Sequence, residues 1–271
     1  MKANIESFFY KTVMIVLLLV NVIPLFWVLR TAFVSKQYSM ELLKLPPVTL
    51  DNFRSVFASA PFTTYYLNTF IVITVIFCVQ FVFVTLAAYA FARMDFYGKN
   101  GLFVLFLIQI LITPDVLILP NYSFLSWLNL VDTRLGLMLP YFTSAFGIFL
   151  MRQTFKQIPI ELEEAAKIEG MRTWDIIWKI YVPLSKPSYI AFAIVSISYQ
   201  WNNFLWPLVV TNSVGNRTLS LGLAIFAQSY ETGAQWGEVC AATVAVIAPL
   251  LIIFLLFERK ITESFAHSGI K

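Results

Sequence analysis

The chain has 271 residues, of which 59% are hydrophobic and only 13% are charged. This composition and a mean hydropathy of +0.76 exclude an ordinary soluble domain and predict a polytopic membrane protein. The formal net charge is only +4, and the basic residues are not interleaved with stacking aromatic residues, so no nucleic-acid partner is expected.

The low number of histidines and cysteines argues against several kinds of catalytic and metal-binding site. His267 is the only histidine, which argues against a histidine-based metal site and against a Ser-His-Asp triad. Cys78 and Cys240 lie inside apolar segments, which indicates two buried thiols rather than a disulfide. We therefore predict no catalytic residue, no metal site and no cofactor bound by the chain itself.

Six apolar segments are candidates to cross a hydrocarbon core of about 30 Å; the first is long enough when its flanks are included, and the fourth is short. They are expected at 13–29, 67–91, 102–119, 135–151, 188–210 and 239–257. The fourth contains Pro140 and Gly147, which predicts a kinked helix. Polar loops are expected at 31–66 and 211–238. The predicted fold is all-α, with a tail at 1–12, a transmembrane region at 13–258 and a second tail at 259–271.

The distribution of basic residues predicts the orientation. With six spans both termini lie on one side, and placing them in the cytoplasm puts 13 of the 19 lysines and arginines inside. This agrees with the positive-inside rule. The expected location is a prokaryotic cell membrane, with both termini and the segment 157–187 in the cytoplasm.

The segment 157–187 is the longest strongly charged stretch, and its first half predicts a short helix. Pro159 suits a helix start, and the glutamates that follow favour the positive end of the helix dipole. The helix should therefore begin near Ile160. Gly170 is a natural terminator.

The second half predicts another helix. Thr173 can cap it, and four apolar residues fall on one helical face, namely Trp174, Ile177, Trp178 and Tyr181. Pro183 and Pro187 are expected to close this helix. The segment thus predicts a two-helix hairpin held at a membrane surface.

This segment resembles the loop that identifies the permease subunits of binding-protein-dependent ABC importers. That family carries an EAA pattern, a later glycine and a later proline, which here are Glu164, Ala165, Ala166, Gly170 and Pro183. Glu169 stands where aspartate is more usual and keeps the charge. The longer stretches ELEEAAKIEG and WKIYVPLSKP look like the carbohydrate-uptake, maltose-type branch.

The resemblance implies that the hairpin docks as a coupling helix into an ATPase subunit. Glu164 would make the charged contact, with Glu163 and Glu169 beside it. Ala165 and Ala166 would allow the close approach, and Gly170 would make the turn. The chain has no GxxxxGK[ST] phosphate loop of its own. The alternative is a hairpin that lies on the lipid surface.

The same resemblance implies a set of partners. They are a second, longer permease chain, two ATPase subunits that hold ATP and Mg, and an external solute-binding protein. Gly269 and Lys271 lie in an ending that contacts the ATPase in some members of the family. The alternative for these two residues is a frayed terminus.

Polar residues in the fifth span are the candidates for contacting a solute. In one helix, four of them would share a face, namely Tyr199, Asn202, Asn203 and Trp206. Gln200 is about 100° off that face. Amides beside aromatic rings suit a sugar. Alternatively, the amides hold helices together and Trp206 is an interfacial anchor.

The predicted function is therefore sugar import by the permease subunit of an ABC importer, which is not itself an enzyme. A glycerol-phosphate or polyol importer of the same branch is the nearest alternative. An ion-gradient-driven secondary transporter is more remote, because no second EAA-like half and no central acid are seen. A membrane-embedded enzyme is disfavoured because no nucleophile, base and metal-ligand cluster is present.

Overall fold

The computed structural model describes residues 2–35, 38, 47–231 and 235–268, and the side chains of 9–35, 38, 47–229 and 235–256. Most of these residues lie in helices. Within the described ranges, strand pairing is limited to an isolated bridge between Val34 and Val48. The predicted all-α class is confirmed.

Among the described residues, three helices are long and apolar enough to cross a membrane without a break. They are α1 (Lys2–Ala32), α3 (Phe62–Arg93) and α14 (Trp236–Ser268), and they correspond to the first, second and sixth predicted spans. The most apolar window of α1 is not buried inside the chain at all. Such exposure is what a helix that faces lipid requires.

The third predicted span is bent, and the expectation of one helix at 102–119 is wrong. Helix α4 (Lys99–Leu111) is followed by a 3₁₀ turn, Pro114–Leu117, and by α5 (Ile118–Trp127), at an angle of 100°. Pro114 has no amide hydrogen and disfavours helical geometry in the residue before it. Thr113 is accordingly extended, with ψ of 128°.

The fourth predicted span is kinked, as expected. Helix α6 (Arg134–Met138) runs into a 3₁₀ turn, Leu139–Tyr141, and is followed by α7 (Ala145–Gln157), with a bend of 44°. Ser144 caps α7 by accepting a hydrogen bond from the amide of Gly147.

The remaining helices lie between α7 and α14. They are α8 (Ile160–Ile168), α9 (Thr173–Ile176), a π-helical turn (Ile177–Tyr181), α10 (Val182–Leu184), α11 (Lys186–Asn202), α12 (Leu205–Val210), a 3₁₀ turn (Val214–Asn216) and α13 (Leu219–Glu231). The hairpin segment Thr173–Leu184 and α11 meet at 80°. If each bent pair is one span, the count of spans reaches the six expected.

Both predicted polar loops contain helices. Helix α2 (Asp51–Ser59) lies within 31–66, and α13 lies within 211–238. Asn52 explains how α2 is held, because its buried amide donates hydrogen bonds to the carbonyls of Ala32 and Val34, at 3.0 and 2.7 Å. Val56 is also fully buried, and the rings of Phe53 and Phe33 lie 4.9 Å apart, so a short apolar face adds to this anchor.

The chain forms two compact units. The first unit comprises 1–63 and 222–251, and the second comprises 64–221 and 252–271. The core of the second unit joins α3, α7 and the segment 160–184, with Val84, Met151, Phe155 and Tyr181 among its fully buried residues. Cys240 is buried as expected, whereas Cys78 is exposed, and both are free thiols.

Candidate functional site

The hairpin of residues 160–184 has the turn that the sequence predicts. Helix α8 begins at Ile160 as expected and ends at a left-handed Gly170, with φ of +82°. The amide of Met171 donates to the carbonyl of Ala166, and that of Gly170 to the carbonyl of Lys167, both at 3.0 Å. This is a Schellman-type ending, which satisfies carbonyls that the last helical turn leaves free.

The second arm of the hairpin differs from the prediction. Thr173 is the first residue of α9 and does not cap it, since the cap position belongs to Arg172. The predicted apolar face is divided: Ile177 and Tyr181 are buried, whereas Trp174 is 59% exposed. The π-helical turn shifts the helical register at this point.

The end of this arm also differs from the prediction. Pro183 lies within α10, and Pro187 lies in the first turn of α11. The chain bends between these two helices, at Ser185. Neither proline therefore ends the helix in which it lies.

A buried carboxylate anchors α8 to the membrane helices. Glu163 is 2% exposed and accepts hydrogen bonds from the hydroxyls of Tyr89, at 2.9 Å, and Tyr181, at 2.5 Å. Lys167 Nζ lies 2.8 Å from Glu163 Oε1, and Arg93 Nε lies 3.9 Å from Oε2. The guanidinium of Arg93 also donates to the carbonyls of Phe155 and Ile158.

These contacts fix the ionisation state of Glu163. Burial raises its pKa, but the hydrogen bonds from Lys167, Tyr181 and Tyr89 outweigh that effect and hold the pKa of the carboxyl below its usual value. The group is therefore an anion at neutral pH. It joins the end of α3, α8 and the second arm of the hairpin.

The opposite face of α8 is open. Glu164, Ala165, Glu169 and Gly170 are exposed, and so is Ile168, at 87%. Glu163 and Ala166 are buried, which revises their place in the predicted docking set, because neither side chain is presented outward. Ile168 was missed, although its position four residues after Glu164 puts it on the same helical face.

The predicted single helix at 188–210 is wrong. Helix α11 ends at Asn202, Asn203 is extended with ψ of 118°, and α12 starts at Leu205. The four residues expected on one face are therefore separated. Tyr199 and Trp206 line a common cavity with Gln200, whereas Asn202 and Asn203 do not line it.

That cavity has a volume of about 300 Å³ and lies within the second unit. Its polar lining residues are Gln80, Gln109, Asn121, Tyr141, Thr143, Ser144, Ser196, Tyr199 and Gln200. The aromatic side chains of Phe146, Phe192 and Trp206 complete one part of the wall. None of the lining residues carries a formal charge.

Several of these groups are fixed by hydrogen bonds. Ser196 Oγ donates to Gln80 Oε1 at 2.6 Å, and Gln80 Nε2 donates to the carbonyl of Tyr141 at 2.7 Å. The rings of Tyr141 and Tyr199 also meet in the wall of the cavity, with their centroids 5.9 Å apart.

Two of the predicted solute-contacting residues, Asn202 and Trp206, make hydrogen bonds within the fold. Asn202 is exposed, and its amide donates to the carbonyl of Ser198 at 2.8 Å. Trp206 is 3% exposed and donates through Nε1 to the carbonyl of Gly136 at 3.3 Å, so it is not an interfacial anchor. Gly269 and Lys271 lie outside the described residues.

Polar side chains in apolar spans can hold separate segments of the chain together. Asn68 has that role, since its amide donates to the carbonyls of Gly215 and Arg217. Gln80 both packs and lines the cavity. Within the described residues, no group of three or more His, Cys, Asp or Glu side chains is placed to hold a metal.

Comparison with known proteins identifies the family. Residues 1–261 match the binding-protein-dependent transport system inner membrane component family. The chain is 36% identical over 225 residues to the arabinooligosaccharides transport system permease protein AraQ of Halalkalibacterium halodurans, covering 83% of this chain and 80% of that one. It is 30% identical over 266 residues to the sn-glycerol-3-phosphate transport system permease protein UgpE of Yersinia pestis bv. Antiqua, covering 93% and 95%.

The fold agrees with this family. A chain in the crystal structure of a bacterial ABC transporter involved in the import of the acidic polysaccharide alginate superposes with a TM-score of 0.84 at 22% identity, over 94% of this chain and 96% of that chain. The family match spans nearly the whole sequence. The chain belongs to the binding-protein-dependent transport system inner membrane component family, whose members are membrane-spanning permease subunits of ABC importers.

Proposed function

We propose that this permease imports a neutral sugar delivered by an external solute-binding protein. The observation that carries the proposal is the cavity of the second unit, whose amides and hydroxyls stand beside aromatic side chains. Sugar hydroxyls need both donors and acceptors, which amides and hydroxyls supply. The CH faces of a sugar stack on aromatic rings.

The nearest alternative is a phosphate ester, as the name of UgpE suggests for that relative. A phosphate would call for a cation or several backbone amides. The cavity lining contains no lysine, arginine or histidine, and therefore favours a neutral solute. It also contains no carboxylate, whereas ion-coupled secondary transporters commonly use one.

The exposed face of α8 supports coupling to a partner. Glu164 supplies charge, Ala165 permits close approach, and Ile168 offers apolar area to a complementary cleft. We infer that one of two ATPase subunits, which hold ATP and Mg, docks here from the cytoplasm. A second permease chain completes the pathway, and both termini of this chain lie on the ATPase side.

The test is solute-stimulated ATP hydrolysis by the reconstituted complex. The panel comprises an arabinooligosaccharide, lactose and sn-glycerol-3-phosphate, since relatives are named for their transport. Gln200→Leu should lower stimulation by the active sugar about tenfold, because it removes an amide partner worth about 1–3 kcal/mol. The control Asn202→Leu changes an adjacent exposed residue outside the cavity and should leave stimulation unchanged.

Coupling is tested separately by co-purification of the ATPase. Glu164→Arg should release it, whereas Asp51→Arg reverses an exposed charge in the predicted external loop and should retain it. Stimulation by sn-glycerol-3-phosphate but by neither sugar would overturn the sugar assignment. Normal ATPase retention and transport by Glu164→Arg would overturn the docking assignment.

A further inference from the structure

A basic depression, separate from the cavity described above, lies at the same end of the membrane helices as the hairpin. It has a volume of about 520 Å³ and is lined by Asp95, Phe96, Gly98, Lys99, Asn100, Gly101, Arg152 and Lys156. The hydrogen bonds from Arg93 to the carbonyls beside α8 place the end of α3 next to the hairpin. The turn 94–98 therefore belongs to the same side of the membrane.

The charges of this depression are unbalanced. Three cations against the carboxylate of Asp95 leave a formal charge of +2. Asp95 pairs with Lys99, whose Nζ lies 3.3 Å from Oδ1, and the Asp95 side chain is itself fully exposed. Lys156 has no hydrogen bond or ion pair with the part of the chain that the structure describes, and it lies within electrostatic range of Arg152 and Lys99.

Two of the three cations are held in place by contacts with the chain. Arg152 Nε donates to the carbonyl of Phe91 at 3.2 Å, and its guanidinium lies 3.8 Å from the centroid of the Phe103 ring. Lys99 donates to the carbonyl of Met94 at 2.6 Å. Asn100 and Gly101 lie in the first turn of α4, where backbone amides have no acceptor within the helix.

The residues around the depression indicate which kind of anionic molecule would occupy it. Tyr97 is fully exposed, and Met94 is half-exposed, in the turn beside the depression. Leu102 and Leu105 are exposed on α4 immediately after it, at 47% and 61%. A basic pocket above an apolar helical surface matches a lipid whose phosphate meets the cations and whose acyl chains lie along α4.

We propose that this depression binds the phosphate of an anionic phospholipid in the leaflet that faces the hairpin. Free inorganic phosphate has the same recognition chemistry, but it would leave the exposed apolar residues of 94–105 without a role. The site does not depend on which solute the permease carries. It would fix the turn between α3 and α4, which adjoins Arg93 and hence the anchor of α8.

The test measures lipid retention by the purified complex with native mass spectrometry, in mixed phosphatidylglycerol and phosphatidylcholine. Wild type should retain phosphatidylglycerol in preference. Removing one surface cation is worth about fivefold, so Lys156→Gln should lower that preference about fivefold and Lys156→Glu about thirtyfold. The control Lys179→Gln removes a 68% exposed lysine that lies outside the depression and should change nothing.

Lys156 is exposed, so its replacement leaves folding intact, and this is checked by thermal unfolding. Retention of phosphatidylglycerol by Lys156→Glu at the wild-type level would overturn the proposal. Displacement of the lipid by millimolar inorganic phosphate, with no preference over phosphatidylcholine, would overturn a lipid as the source. Loss of ATPase binding with lipid retention unchanged would assign the cations to a protein partner and would also overturn it.

Discussion

Replacing Glu163 with glutamine tests whether a buried charge positions the hairpin of residues 160–184. The substitution keeps the shape of the side chain and removes its charge. Both tyrosine hydroxyls can still hydrogen-bond to the amide, because a hydroxyl can donate or accept. What is lost is the anion that faces Arg93 Nε at 3.9 Å and Lys167 Nζ at 2.8 Å.

The expected destabilisation by Glu163→Gln depends on how deeply the two cationic partners of Glu163 are buried. Removing one partner of a buried ion pair costs about 3–5 kcal/mol, because the other charge stays buried without compensation. The Lys167 side chain is 55% exposed and is solvated without its partner, whereas that of Arg93 is only 12% exposed. We therefore expect the lower end, about 3 kcal/mol, which is about a hundredfold in the local opening equilibrium.

The assay is hydrogen–deuterium exchange of the amides of α8 in the reconstituted complex. Glu163→Gln should raise their exchange about a hundredfold, while the amides of α1 stay unchanged. Glu161→Gln is the matched control, since Glu161 is an exposed glutamate in the first turn of the same helix. Equal protection of α8 in the two variants would refute the reasoning.

Three further predictions follow from the same structure. Burial raises the pKa of Glu163, but its hydrogen bonds lower that pKa by more, so the folded-state pKa lies below the usual 4.5. Protection of the α8 amides should therefore hold above pH 4.5 and be lost as the pH falls through the lowered pKa. Protection that falls when the pH is raised would contradict this. Gly147→Ala should lower the free energy of unfolding by about 1–3 kcal/mol in thermal unfolding, because the new Cβ would lie 2.6 Å from a ring carbon of Phe192, whereas the control Gly101→Ala meets nothing within 4 Å. Gly170→Ala should cost about 1–2 kcal/mol in the same assay, because φ of +82° is strained for any residue with a Cβ, and Gly170→Asn should cost less.

The sequence predicts the hairpin well because its signals are local. A proline before Ile160, acidic residues in the first turn and a glycine at 170 each act on their own stretch of backbone, and the structure places the helix start and the left-handed turn at those positions. Local sequence does not determine which side chains of the hairpin are buried. Glu163 and Glu164 are adjacent acids, and only the arrival of Tyr89 from α3 and Tyr181 from the second arm decides which one is buried.

The cavity of the second unit depends more on contacts between distant segments than on local signals. Tyr199 and Gln200 are found by sequence reasoning because they are polar residues in an apolar span. The helical-face argument fails after Asn202, because it assumes a continuous helix. Pro207, in the first turn of α12, has no amide hydrogen to donate to the carbonyl of Asn203, and this is the local signal for the break. Gln80, Tyr141 and Ser196 come together from three different helical segments, which a pattern within one segment cannot reveal.

The helix breaks after α4 and after α11 both border the cavity, and the hydrogen-bonding needs of backbone in a membrane explain why. A backbone that leaves helical geometry within a bilayer exposes amides and carbonyls that hydrocarbon cannot satisfy, so such breaks are stable only beside protein or a hydrated cavity. Ile112 and Pro114 border the cavity at the break after α4, and Trp206 borders it just beyond the break after α11. Polar residues elsewhere in the spans, such as Asn68, cap loop carbonyls and leave their helix continuous. Broken spans beside a cavity with uncharged polar lining suit the proposed pathway for a hydroxyl-rich solute, because that lining offers hydrogen-bond partners that hydrocarbon cannot.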